Sequence, residues 1–424
     1  MSANISDFTN NSGAAMAPEE AWETSSPIAN SEADSSNVFS TDSEGGSTPE
    51  MSDCDNEEIH GSDPALDEVM PHVGKKTVLV TGGAGFIGSF VADALLARGD
   101  DVVIVDEVND YYDVRIKQGN LAMLVDKYGP ERCKVYRGDL CDAPFITNVF
   151  ETEPIEWVVH MAARAGVRPS IQDPFIYVHS NVEATTRLLE LSRIHGIKSF
   201  AFASSSSVYG GSTKETFSET DVVDFPVSPY AATKKSCELI AYTYHHLYGL
   251  NVAGLRFFTV YGPRGRPDMA PFKFIDRLCR GQEIMQFGDG STSRDYTYVT
   301  DIVDGVIRSL DRPFGYQIYN LGNGNPVRLS AFIGLVETHV GKPALIKVCP
   351  EQPGDVPRTC ADVSKARGLL GYAPMVSFEE GIRRTVEWYK GEYATNLKGM
   401  PEEPEAGNGL TRAPSACFQG TPAN

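Results

Sequence analysis

Tyr230 and Lys234 stand four residues apart in the word Tyr230-Ala231-Ala232-Thr233-Lys234, so on a helix the phenol and the ammonium share one face. A phenol can take a proton from a carbinol only as phenolate. Its ordinary pKa of about 10 must then fall by roughly three units, on the order of 4 kcal/mol. A cation one turn away and a positively charged nicotinamide ring are sources for such a shift. Upstream, Ser204-Ser205-Ser206-Ser207-Val208-Tyr209-Gly210 sets hydroxyls at the end of an apolar run. A serine beside the same carbinol would orient it and relay the proton; Ser205 is the first choice and Ser206 the second. Oxidation of a carbinol also needs a hydride acceptor, and an earlier word supplies a place for one.

That word is Thr81-Gly82-Gly83-Ala84-Gly85-Phe86-Ile87-Gly88, again after an apolar run. Gly82 allows a tight turn, Gly85 lets the backbone approach a pyrophosphate, and Gly88 lets a helix pack on its strand. The helix N-terminus favours the negative charge. Asp106 ends the next apolar run, where a carboxylate would accept from the adenosine ribose and repel a 2′-phosphate, so NAD is expected rather than NADP. Asp139-Leu140 closes a third run, where an adenine edge would sit. Glycine loop, serine strand and Tyr/Lys helix in this order predict an enzyme that oxidises a carbinol with its own NAD.

The positioning elements follow from the hydrophobic pattern. Residues 77–80, 102–105, 135–137, 157–161 and 200–203 are short, nearly continuous apolar runs, as expected of parallel strands buried on both faces. Helical patterns such as 86–97 and 182–195 lie between them, and 251–257 supplies a later strand. The expected fold is α/β: a Rossmann-like doubly wound parallel sheet with a smaller C-terminal α/β substrate-binding lobe. The NAD-binding domain with the catalytic residues is expected over 73–258 and the substrate-binding lobe over 259–390. A last amphipathic helix is expected at 378–389, with Ile382, Val386 and Tyr389 on one face.

The net charge of −20 is local in origin. Residues 1–70 carry sixteen Asp and Glu and no Lys or Arg, which leaves the rest near −4 and gives no sign of a nucleic-acid surface. Segments 1–72 and 391–424 are polar and poor in aromatics, so both are expected to be disordered tails. Eight scattered cysteines without a Cys-x-x-Cys pair suggest reduced thiols in a cytoplasmic protein and no metal site. With no long apolar run and no signal pattern, neither membrane insertion nor secretion is expected.

From 75 to 389 the chain resembles the extended short-chain dehydrogenase/reductases, in particular the NAD-dependent sugar-nucleotide epimerases and dehydratases. Its words are most similar to those of the UDP-glucuronate 4-epimerases. They are Asn109-Asp110-Tyr111-Tyr112-Asp113, Ala165-Gly166-Val167-Arg168, the serine run, the Tyr/Lys word, Tyr244-His245-His246-Leu247-Tyr248-Gly249, the stretch 255–262, Gly265-Arg266-Pro267-Asp268-Met269-Ala270 and Gly354-Asp355-Val356-Pro357. The resemblance implies NAD contacts at Gly82, Gly85, Phe86, Ile87, Gly88, Asp106, Asn109, Asp139, Leu140, Ala162, Asn181, Tyr230 and Lys234. It implies catalysis by Ser205, Tyr230 and Lys234. Sugar-nucleotide contacts are implied at Arg168, Ser205, Ser206, Thr259, Arg266, Arg294 and Asp355. It also implies a homodimer through the Tyr/Lys helix. Two positions depart from the pattern: Glu107, where relatives often carry Asn, and Arg264, where many carry Trp.

Dehydratases of this group place Asp-Glu after the catalytic hydroxyl, because eliminating water needs an acid and a base. Here those positions are Ser206 and Ser207. What remains can take a hydride and return it to the other face of a 4-keto sugar, which is epimerisation at C4. Thr259 stands where UDP-galactose epimerases usually carry Asn, and with Arg266 it resembles a pair that holds a C5 carboxylate. A 4-keto uronate is a β-keto acid, so its carboxylate must be held to prevent loss of CO₂. The alternatives are an epimerase for a neutral UDP-hexose and a non-catalytic NAD sensor.

Overall fold

The computed structural model describes residues 70–351 and 356–394. Apart from 70–72 and 391–394, both expected tails lie outside these residues. The first half alternates strand and helix: β1 (Thr77–Thr81), α1 (Phe86–Arg98), β2 (Asp101–Asp106), α2 (Val114–Tyr128), β3 (Cys133–Arg137), α3 (Ala143–Thr152) and β4 (Trp157–His160). Short helices α4 (Val167–Gln172) and α5 (Pro174–Tyr177) lead into α6 (Ala184–Ile194), β5 (Ser199–Ser205), α7 (Pro229–Tyr248) and β6 (Val252–Phe257). The later elements are β7 (Thr259–Tyr261), α8 (Ala270–Arg280), β8 (Ile284–Phe287), β9 (Ser293–Tyr298), α9 (Val299–Asp311), β10 (Tyr316–Leu321), β11 (Pro326–Arg328), α10 (Leu329–Val340), β12 (Ile346–Cys349), α11 (Ser364–Leu370) and α12 (Phe378–Trp388).

Seven strands form one sheet in the order β10-β6-β5-β4-β1-β2-β3, with every neighbouring pair parallel. Side chains alternate across it. Val78, Val80, Val102, Ile104 and Val159 face a core shared with Val91 and Leu95 of α1 and Ile302 and Val306 of α9. Leu79, Val103, Val105, Val158 and Phe200 face Ile146 and Val149 of α3, Leu188 of α6 and Ala241 of α7. Both faces are dry, which is why the strands read as continuous apolar runs. The order reverses between β1 and β4, so the carboxyl ends of these two strands open the crevice where such sheets bind ligands.

Beyond residue 258 the chain adds β10 to the same sheet and builds two small ones, β11-β9-β7 and β12-β8. Asp295 of β9 ties this part together: it is wholly buried and accepts from the backbone N–H groups of Asn323 (2.8 Å), Gly324 (2.9 Å) and Ala361 (2.9 Å). Burial pushes its carboxyl above the usual range, and these three donors work against that rise. Two helices differ from the sequence pattern at one end. A π-helical stretch, Val178–Glu183, precedes α6, and another, Tyr389–Tyr393, follows α12. The first turns Asn181 inward, where its side chain is bonded on both sides.

Candidate active site

The glycine word forms a turn between β1 and α1 at the crevice. Gly82 has φ +69°, and a Cβ there would stand 2.6 Å from the backbone nitrogen of Ala162 at the end of β4. A Cβ on Gly88 would collide with the carbonyl of Gly82. Backbone thus meets backbone where only glycine fits. The Ser89 N–H makes the first helical bond, to Gly85 O at 3.1 Å, so the N–H groups of Phe86, Ile87 and Gly88 precede the helical ladder. Such a helix end suits a pyrophosphate.

Asp106 lies where the sequence puts it, at the tip of β2. Its carboxylate accepts from the N–H of Ala84 in the glycine turn (3.0 Å) and from Val108 (2.8 Å). Burial pushes this carboxyl up, while those two donors and the nearby Lys117 favour its charge. Asn109 accepts from the Tyr111 N–H at 3.1 Å and from Lys117 Nζ at 2.6 Å. Glu107, one of the departures, is bonded to Asn109 and stands 3.4 Å from Arg164. On the next strand end, Asp139 accepts from the Cys141 N–H (2.8 Å) and lies 2.9 Å from His179 Nε2, with Leu140 buried beside it. Asp139, Cys141 and His179 bring their donor atoms within 4.8 Å of one another on the surface. Asn181 is buried against Thr233 of α7 (3.0 Å) and holds the Arg164 backbone, which links the cofactor side to the Tyr/Lys helix.

Helix α7 begins on Ser228, whose hydroxyl accepts from Ala231 N–H at 3.1 Å, with Pro229 in the first position. Tyr230 follows in the first turn, its own N–H donating to Ser170 Oγ at 3.1 Å. Lys234, one turn on, is 4 % exposed and donates from Nζ to the Ala203 carbonyl of β5 at 2.7 Å. That bond lands two residues before Ser205, which ends β5 and accepts from the Ser207 N–H at 3.1 Å. The ammonium therefore sits between the tyrosine helix and the serine strand. Ser206 opens the following 3₁₀ turn and is half-buried.

The residues expected on the sugar side come from separate elements. Arg266 donates to Asp268 through Nε (2.9 Å) and Nη2 (2.6 Å) and reaches the Tyr111 hydroxyl at 3.4 Å. Burial opposes its charge, but the Asp268 carboxylate overrides this and raises its pKa. Tyr111 donates to the Ala165 carbonyl at 2.6 Å, and Tyr177, whose ring stands edge-on to that of Tyr230, reaches the same carbonyl at 3.2 Å. Arg266 and the catalytic helix are thus joined through one cluster. Thr259 is half-buried on β7. Arg168 extends over the Phe287 ring at 4.9 Å, and Arg294 donates to the Ser293 carbonyl at 3.0 Å. Asp355 lies outside the described residues.

Sequence reasoning missed several partners of this site. Tyr111, Tyr177 and Asp268 surround Arg266. Asn120 of α2 donates to the Ala84 carbonyl at 2.9 Å and so fixes the glycine turn. His160, at the end of β4, lies 2.6 Å from Thr81 Oγ1 and 3.0 Å from Thr185 Oγ1, and burial and the Lys234 charge hold its pKa down at about 3. The available signal was a lone histidine closing an apolar strand. Arg264, the second departure, has φ +60° and lies over the Phe90 ring at 3.6 Å.

The sequence profile of the GDP-mannose 4,6-dehydratase family matches residues 79–385. The chain belongs to that family. As an extended short-chain dehydrogenase/reductase it is an enzyme, and its curated relatives include the UDP-glucuronate 4-epimerase of Thermodesulfobacterium geofontis. That relative is 48 % identical over 313 residues, covering 74 % of this chain and 95 % of its own length. Among solved members of the family, the Bacillus cereus UDP-glucuronic acid 4-epimerase in complex with UDP-glucuronic acid and NAD superposes with a TM-score of 0.70. It is 34 % identical, over 74 % of this chain and 99 % of its own. The UDP-glucose 4-epimerase of Thermotoga maritima, with UDP-glucose, gives 0.67 at 33 % identity, over 74 % of this chain and 98 % of its own.

Proposed function

We propose that this chain is an NAD-dependent 4-epimerase that converts UDP-glucuronate into UDP-galacturonate through a transient 4-keto sugar. The observation that carries this reading is the grouping of Tyr230, Lys234 and Ser205 at the crevice, with serines rather than carboxylates at 206 and 207. NAD bound there would supply the acceptor, and then the donor, for the C4 hydride. The glycine turn, Asp106, Asn109, Asp139, Leu140, Ala162 and Asn181 are the residues that would hold it. Tyr230 accepts the O4 proton, Ser205 orients that hydroxyl, and Lys234 holds its ammonium between the tyrosine helix and the serine strand. Rotation of the keto sugar between the two steps presents its other face.

Thr259 and Arg266 hold the uronate carboxylate, while Arg168, Ser206, Arg294 and Asp355 contact the rest of the sugar nucleotide. In this division residues 73–258 carry NAD and the catalytic groups, and 259–390 carry the sugar nucleotide. A homodimer through α7 accords with exposed Leu239 and Tyr242 on that helix and with Ile171, Phe175 and Val178 nearby. A cytoplasmic location suits cysteines that are all free among the described residues. No described helix is long and apolar enough to cross a membrane.

The test uses UDP-glucuronate deuterated at C4. The label should be retained at C4 of UDP-galacturonate, because the hydride passes only between sugar and bound cofactor and never exchanges with solvent. Exchange of the label with solvent would contradict the mechanism.

A further inference from the structure

Beneath the crevice lies a buried charged network that the reaction as described does not use. Glu238 follows Lys234 by one turn on the face of α7 that already carries Tyr230. It is 1 % exposed. Its Oε1 accepts from the Ser204 hydroxyl at 2.7 Å and from Arg256 Nε at 2.8 Å, and its Oε2 accepts from Arg256 Nη2 at 2.8 Å. Arg256 stands directly opposite Ser204 in the β5–β6 register. Its Nη1 donates to the Tyr209 hydroxyl at 3.0 Å, and that hydroxyl donates to Asn320 of β10 at 2.6 Å.

Two consecutive turns of α7 are thus fastened to two consecutive residues of β5. Lys234 reaches the Ala203 carbonyl and Glu238 reaches the Ser204 hydroxyl. The next residue of the strand is Ser205. A carboxylate is an expensive fastener here, because ions taken out of water cost several kcal/mol unless well paired. The bidentate guanidinium meets that cost, and the whole assembly lies near the carboxyl ends of β5, β6 and β10, beside the serine run. Simple packing of a helix on a strand would be served by apolar residues of the same volume.

We propose that Glu238, neutralised by Arg256, is a positioning residue: through Ser204 it sets the spacing between the Tyr230–Lys234 helix face and Ser205. The proposal rests on the epimerase reading above. The Glu238 carboxylate exchanges no proton with the substrate; it acts by holding Ser204, and so the end of β5, at a fixed distance from α7. Misplacing reacting groups by about 1 Å can cost about 100-fold in rate.

Two variants of the full chain test this. Ser204→Ala cuts the strand from the helix while leaving the Glu238–Arg256 pair intact. It should keep NAD content, thermal stability and KM close to wild type and lower kcat by roughly 10- to 100-fold. Glu238→Met/Arg256→Met replaces the pair with apolar volume, an exchange that is often neutral or stabilising. This double variant should remain folded and NAD-loaded with kcat still depressed. Wild-type kcat in either variant overturns the proposal, as does a loss of turnover that merely follows a loss of folded, NAD-loaded protein. Failure of wild type to epimerise would instead sink the functional reading, so the two failures are distinguishable.

Discussion

Where the glycine turn meets β4, Gly82 and Ala162 approach so closely that a single methyl would not fit. Across the same chain, Arg266 keeps its place because Asp268 and Tyr111 hold it. On the proposed reading, the cofactor side is shaped largely by backbone, and the sugar side by long charged side chains borrowed from several elements. Backbone surfaces accept one shape and have no means of adjusting; side-chain clamps can change their preference by one substitution. On the proposed reading, the difference teaches that the room for a dinucleotide is built into turn and helix geometry, while the choice of cofactor, reaction and substrate rests on replaceable side chains such as Asp106, Ser206 and Arg266.

Gly88→Ala should be the most damaging change, because the added methyl collides with the Gly82 carbonyl. Bound NAD in the purified protein should drop and turnover should fall by ~100-fold or more for every substrate. Activity retained with NAD in place would break the comparison at its strongest point. Arg266→Ala attacks the other side. The loss of a charge-assisted hydrogen bond of about 1.5–3 kcal/mol should lower kcat/KM for UDP-glucuronate by ~10- to ~150-fold. NAD content and any turnover of UDP-glucose should change little. Equal losses on both substrates would mean that Arg266 contacts a part they share. Thr259→Ala should show a subtler effect: a minor UDP-pentose by-product from the loosened keto acid, visible by mass spectrometry. A by-product level no higher than wild type would remove Thr259 from the carboxylate clamp.

The smallest effect concerns the floor of the cofactor side. His160 is neutral in the fold, its pKa lowered from 6.5 to about 3. The unfolded chain therefore takes up this proton first as pH falls. The associated stability is complete above pH 6.5 and drains away from there toward pH 3, at up to ~1.4 kcal/mol per unit. Thermal melts between pH 7 and 5 should show this decline, and His160→Gln should flatten it. Parallel curves for the two proteins would exclude the histidine as its source.

The same contrast explains what could be read from the chain. Gly82, Gly85 and Gly88 were legible because a turn and a helix start are local, and three glycines at fixed spacing specify them. Tyr230 and Lys234 were legible because one helical turn joins them. Five strands were legible because burial on both faces leaves a nearly continuous apolar run; the edge strand β3 is only half-buried from Lys134 to Tyr136 and shows a shorter run, and β10, with the half-exposed Tyr316, Gln317 and Ile318, breaks that signature. The surroundings of Arg266 were not legible: Tyr111 lies 155 residues away in sequence, and only the folded chain brings the two together. Glu238 and Arg256 look like ordinary charges on a helix and a strand until the β5–β6 register sets Ser204 beside them.

The central claim is that a backbone cradle for NAD is combined with a clamp for a uronate. Incubating the full chain with UDP-glucuronate and, separately, with UDP-glucose, then identifying the products, tests it most directly. The account predicts UDP-galacturonate from the first, without pentose, and little conversion of the second. A protein inert on UDP-glucuronate that interconverts UDP-glucose and UDP-galactose would contradict it.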